Sequence, residues 1–275
     1  MFRSLILSAC LIGVALGLIV TAVQAVGVTP ILLDAEQYEV VEASAPDAGT
    51  HGEQPDHHQA DYQHHSHQHD DHQRHESATG HHHGGDDWAP ADGAERTFYT
   101  ALSNIFAGIG FAAVMLVVMA QLRERGKLAL TPTRGLLLGG LGYLAVFVAP
   151  SIGLPPEIPG TAAAPLEARQ LWWAFTVSMV LAGFALLFLA RGWIKLVGVP
   201  CLVLPYLVVP AHPDGPLFSH PDPEAVAALN ELHHEFIWAS GMTNLVFWLM
   251  AGLFCVLALK RLYDASPEQR DEVAA

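Results

Sequence analysis

"LVGVPCLVLPYLVVPAHP", residues 196–213, decides how many times this chain crosses a membrane. The stretch holds no Asp, Glu, Lys or Arg. Pro200 and Pro205 sit inside it, and each removes a helical hydrogen bond. Within a bilayer such a break survives only where neighbours or water satisfy the freed backbone groups. A hydrocarbon core asks for about 20 apolar residues of helix. Five other charge-free stretches meet that length: Ser4–Leu33, Thr97–Leu122, Gly135–Pro156, Gln170–Ala190 and Phe236–Leu259. Residues 196–213 are the shortest of the set.

Charge arbitrates. Lys and Arg collect on the cytoplasmic side of a membrane protein. With six spans and the amino terminus inside, the inner segments hold Arg3, Arg123, Arg125, Lys127, Arg134, Arg191, Lys195, Lys260, Arg261 and Arg270. Only Arg74, Arg96 and Arg169 remain outside, of thirteen basic residues in all. A five-span reading that omits 196–213 would put Lys260 and Arg261 outside. The expected fold is therefore all-α, a polytopic membrane helix bundle of five to six spans, with the fifth broken or shallow. Its spans fall near 97–122, 135–156, 170–190, 196–213 and 236–259, after a first segment over 1–33. Residues 34–96 form an outer loop, 97–262 the bundle and 263–275 a cytoplasmic tail.

Composition agrees. Hydrophobic residues make up 52% of the 275, and charged residues only 15%. Soluble domains carry about 25% charged residues. The net charge of −14 excludes a nucleic-acid binder, which needs a basic footprint. Cys10, Cys201 and Cys255 are far apart in apolar runs, so they form neither a disulfide framework nor a CxxC site. They read as small buried side chains. Leu7-Ser8-Ala9-Cys10 matches a lipoprotein box, but the apolar run continues past Cys10. Arg3, the apolar run and Val23-Gln24-Ala25 also fit a signal peptide cut after Ala25. The uncharged stretch is longer than a signal core, which favours an uncleaved span.

The outer loop carries the chemistry. Twelve histidines fall between His51 and His83, interspersed with carboxylates. The ligand set comprises His57, His58, His64, His65, His67, His69, Asp70, Asp71, His72, His75, His81, His82 and His83. The loop holds little apolar material for a core, so it reads as disordered without metal. Neutral imidazole suits cobalt, nickel, copper and zinc, and the reference pKa of about 6.5 leaves it free to bind near neutrality. The carboxylates add oxygen ligands and a negative potential that concentrates cations. Spacings of HH, HxH, HxxH and HHH fix no single geometry. They imply many weak, interchangeable sites suited to capture. A low-complexity spacer is the plainer reading.

Further path candidates lie at the outer edges of the spans: Asp34, Glu36, Glu157, His220, Glu231, His233 and His234. In "ELHHEF" (231–236), a helix would put Glu231 and His234 on one face. A solvated helix end explains the same residues. No span carries an acid at mid-depth, where ion pathways usually show one. Asn104, Met115, Met119, Met179, Met242, Asn244, Cys201 and Cys255 are softer candidates that read first as packing. Glu157 and Arg169 read as a structural pair across the "GLPPEIPG" loop. No Walker A sequence, zinc-protease pattern or nucleophile elbow occurs, so nothing supports an enzyme.

Several stretches together resemble one family. "PILLDAEQYE" (30–39), "SNIFAGIGFA" (103–112), "APSIGLPPEIPG" (149–160) and "LEARQLWW" (166–173) are similar to the cobalt transporter subunits called CbtA. Glu36, Glu157, Arg169, Gln170 and Trp172 are the positions that carry the resemblance. It implies cobalt uptake linked to cobalamin supply, in the bacterial inner membrane. It also implies a small single-span partner with a histidine-bearing end, of CbtB type, and no prosthetic group. The family pattern has five spans, which a cleaved first segment would reconcile with six. It carries a histidine where this chain has Tyr206. The leading expectation is a divalent-metal uptake subunit for cobalt, with nickel and zinc also able to bind. The rivals are a membrane-anchored metal buffer or sensor, and a structural membrane protein with a histidine-rich spacer.

Overall fold

The computed structural model describes residues 2–43, 90–91, 93–211 and 215–264. Eight α-helices follow in chain order: α1 (Phe2–Gly27), α2 (Thr29–Ala43), α3 (Ala94–Glu124), α4 (Pro132–Tyr143), α5 (Ala149–Gly153), α6 (Leu166–Leu189), α7 (Gly198–Val203) and α8 (Pro223–Asp264). A π-helical turn, Leu144–Val148, joins α4 to α5. Two 3-10 turns, Gly192–Val197 and Leu204–Leu207, flank α7. The described residues hold no strand, only an isolated bridge between Thr161 and Phe218. Five helical stretches are long and apolar enough to cross a membrane: Arg3–Gly27, Ala94–Glu124, Pro132–Gly153, Leu166–Leu189 and Pro223–Asp264. The chain is an all-α, multi-span membrane protein.

The helices pack antiparallel by backbone approach at glycine. Gly13 and Gly17 of α1 lie against Ile109 and Ile105 of α3, so the start of α1 meets the end of α3. Gly135 and Gly139 of α4 lie against Gly252 and Trp248 of α8. A Cβ at any of these four glycines would strike the facing helix. With no hydrophobic drive between helices in lipid, such close contact supplies the association energy. Ala9, Ile12 and Leu16 of α1, Met115 and Met119 of α3, and Cys255 and Leu259 of α8 close one core.

These contacts define two ends. Glu36, Glu157, Glu224 and Glu231 lie at the acidic end, where α3, α6 and α8 begin. Arg123, Arg134, Lys260 and Arg261 lie at the basic end. The Pro-broken stretch doubles back along α6. From the basic end of α6 it runs back along that helix: Gly198 packs on Gly183, and Pro205 reaches the level of Trp172 near the start of α6. Pro200 falls in the first turn of α7 and Pro205 in the first turn of the following 3-10 turn.

Helices also extend past the expected boundaries. α2 carries Asp34 and Glu36 in a helix to Ala43, where a loop was expected from 34. α8 begins at Pro223, capped by Asp222 Oδ1 accepting from Glu224 N at 2.9 Å. Its 42 residues span about 63 Å at 1.5 Å per residue, roughly twice a hydrocarbon core. The first turns of α8 therefore rise above the bundle, where Leu229 packs with Ala35, Ile158 and Phe218 in a small cap.

Candidate functional site

The cap is built around the proline loop 153–160. Gly160 turns the loop with φ +78, a conformation that favours glycine. Ile158 points into the cap core. Ala162 N donates to Leu217 O at 2.8 Å, tying the loop to the segment before α8. Glu157 Oε2 meets Arg169 Nη1 at 2.7 Å across the loop. The expected structural pair is thus formed. A groove of about 830 Å³ opens beside it, lined by Pro150, Leu154, Glu157, Arg169, Gln170 and Trp173.

Trp172 lies beneath the groove. Its indole packs on Gly153, where a Cβ would collide with the ring, and Nε1 donates to Pro205 O at 3.0 Å. Tyr206 Oη donates to Ala149 O at 2.9 Å. Two polar side chains therefore satisfy carbonyls of the two interrupted stretches, α4–α5 and Gly192–Leu207. Tyr206, at the position where the resemblance implies a histidine, donates its side-chain hydroxyl to the backbone here. Sequence reasoning singled out Trp172 as a position that carries the resemblance and did not see this bond. The only available signal was the pairing of Pro205 with an indole that needs a buried acceptor.

The acidic-end path candidates have definite partners. Glu36 accepts from Arg96 at two nitrogens, Nη1 at 3.0 Å. Asp34 Oδ1 accepts from Gln37 Nε2 at 3.3 Å. His233 is buried: Nε2 lies 3.0 Å from Pro156 O, so that nitrogen carries the proton, and its ring stands edge-on to Phe218 at 5.9 Å. His234, one residue on, is exposed, as is Glu231. His220 Nδ1 accepts from Asp222 N at 3.1 Å, its ring lies 6.5 Å from Tyr38, and its Nε2 is buried without a partner among the described residues. These groups share one end but do not converge. Among the described residues, no three His, Cys, Asp or Glu form a metal-holding group.

Five of the softer candidates within the spans pack or bond inside the bundle, whereas Met242 is exposed. Asn104 donates to Thr21 Oγ1 at 3.0 Å and to Gln24 Oε1 at 2.6 Å, joining α3 to α1. Met115, Met119 and Cys255 are in the core. Asn244 donates to Ser240 O, one turn back. The ligand set from His57 to His83 lies outside the described residues, as does His212.

No curated protein matches the chain, and no solved structure matches it. A family model does, over residues 2–260, a range that contains four of the five long apolar helices, all but the last four residues of the fifth, the proline loop and the Trp172 bond. Bundle and motif positions thus fall within a single match, and the chain belongs to the family described as Probable cobalt transporter subunit (CbtA).

Proposed function

We propose that this chain is the multi-span subunit through which Co²⁺ is taken up, with the histidine-rich segment gathering the ion on the side where metal arrives. Membership of the cobalt transporter subunit family carries the reading. The asymmetry of the two ends supports its direction. α2 and the start of α3, which precede and follow the histidine-rich segment in sequence, lie at the acidic end. Basic residues favour the cytoplasm, which puts that segment outside the bacterial inner membrane. Metal captured by His57 to His83 is then concentrated at the cap. The Glu36–Arg96 and Glu157–Arg169 pairs hold the mouth in shape, and His220, Glu231 and His234 are its remaining donors. A small single-span partner of CbtB type completes the transporter. The chain has no catalytic role, and nickel or zinc compete for the loop.

A second reading is a membrane-anchored metal buffer or sensor. The observation favouring it is that no three-ligand group lies in the described spans. Reconstitution into sealed vesicles, with and without the partner, separates the two. Gradient-driven Co²⁺ accumulation is expected with the partner present. Accumulation in neither case overturns transport and leaves the buffer.

A further inference from the structure

The turn that leaves α6 is exposed over its whole length. Residues 191–197, Arg-Gly-Trp-Ile-Lys-Leu-Val, all face away from the protein. Trp193 is 75% exposed and Leu196 70%. Gly192, at φ +64, makes the reversal that pushes the turn outward. A soluble surface would not present Trp193, Ile194, Leu196 and Val197 together. At the mouth of a membrane-spanning helix the same side chains meet acyl chains, with the indole at headgroup level.

Cations surround this hook. Lys127 reaches across from the α3–α4 connection, and its Nζ donates to Leu189 O at 3.0 Å. That bond brings Lys127 to the end of α6, where Arg191 and Lys195 follow Leu189 by two and six residues. None of the three meets a carboxylate among the described residues. Arg123, Arg125, Arg134, Lys260 and Arg261 lie at the same end, where the described residues include the acids Glu124 and Asp264. Among the described residues, positive charge at this end therefore exceeds negative charge.

We propose that this corner is a binding site for an anionic phospholipid, whose headgroup phosphate sits among Lys127, Arg191 and Lys195 while Trp193, Ile194 and Leu196 seat its chains. The three cations come from two separate connections. A bound phosphodiester would therefore bridge the α3–α4 turn and the α6–α7 turn, and so fix the start of the Pro-broken stretch. Lys and Arg suit this role because both donate several charge-assisted hydrogen bonds to phosphate oxygens. The proposal concerns the basic end alone and stands or falls independently of metal uptake.

The test is lipid retention by the full chain. The protein is purified in mild detergent from vesicles of equal phosphatidylglycerol and phosphatidylcholine, and the retained lipid is quantified by mass spectrometry. Retained phosphatidylglycerol is expected to exceed phosphatidylcholine at least three-fold. The K127Q/R191Q/K195Q variant is expected to lose that preference. W193A should lower total retained lipid while keeping the ratio. K260Q/R261Q, equal in sign but on α8 and in neither of the two turns, should keep the parent ratio and serves as the folded control. Parent retention without headgroup preference overturns the site, as does a triple variant indistinguishable from the parent. An equal loss in K260Q/R261Q would show diffuse charge attraction and overturn it too.

Discussion

Trp172 Nε1 donates to the carbonyl oxygen of Pro205 at 3.0 Å, and the ring lies against Gly153. One side chain of α6 thus holds both interrupted stretches of the bundle. W172F removes the donor and leaves most of the packing, and should destabilise by about 1 kcal/mol. W172A should cost about 3–5 kcal/mol, because it also opens a large cavity. Thermal unfolding in detergent orders the two variants. If W172F were equal to the parent and W172A only slightly weaker, the indole would not be the clamp described.

The pair Glu157–Arg169 is partly shielded, with side-chain exposures of 16% and 32%. A double-mutant cycle of E157Q and R169Q should give a coupling near 1 kcal/mol. The double variant should be less impaired than the sum of the singles, since neither charge is then left alone. A zero coupling would mean that the two groups act separately, and would free Glu157 for a ligand role.

Gly139 faces the backbone of Trp248 with no space for a Cβ. G139A should separate α4 from α8 and cost about 1–3 kcal/mol through overpacking. Gly140, next along the chain, has open space at its Cβ position, so G140A should be neutral or slightly stabilising. The contrast between neighbours is read by unfolding midpoints, and equal effects would contradict the packing.

Charge-free runs marked the long helices well, because lipid forbids unpaired charge over the length of a span. The same criterion misplaced helix ends. It marks the membrane and not the helix, so α2 continues through Asp34 and Glu36, and α8 starts before Phe236. The partners in the cap were less legible. Arg96 and Glu36 are 60 residues apart, and no local pattern links them. His233 and His234 look equivalent in sequence, yet helical phase against Phe218 buries the first and exposes the second. The Glu157–Arg169 pair was readable because stiff prolines flank one partner and a short loop separates the two.

Cleavage after Ala25 would remove Ala9, Ile12 and Leu16 from the core and take Thr21 and Gln24 from Asn104. The membrane-embedded protein should therefore retain residues before Val26. Intact mass of the chain extracted from membranes checks this directly. A product starting at Val26 would require α3 to repack against another surface.

Deleting residues 51–83 removes twelve histidines and touches no contact described in the bundle. The unfolding midpoint should hold, while bound metal per chain falls by several equivalents. Titration of the parent should rank nickel above cobalt, following the usual order of divalent affinities. Loss of the bundle's cooperativity on deletion would give the segment a structural role instead.

The 42-residue α8 carries an unbroken ladder of backbone hydrogen bonds from the cap to the basic end. It behaves as a stiff strut and absorbs little bending along its length. Compliance must then reside in the joints, Leu144–Val148 and Gly192–Leu207, where the ladder changes pitch or stops. Any alternation between facing one compartment and facing the other would hinge there, with the strut as its fixed axle.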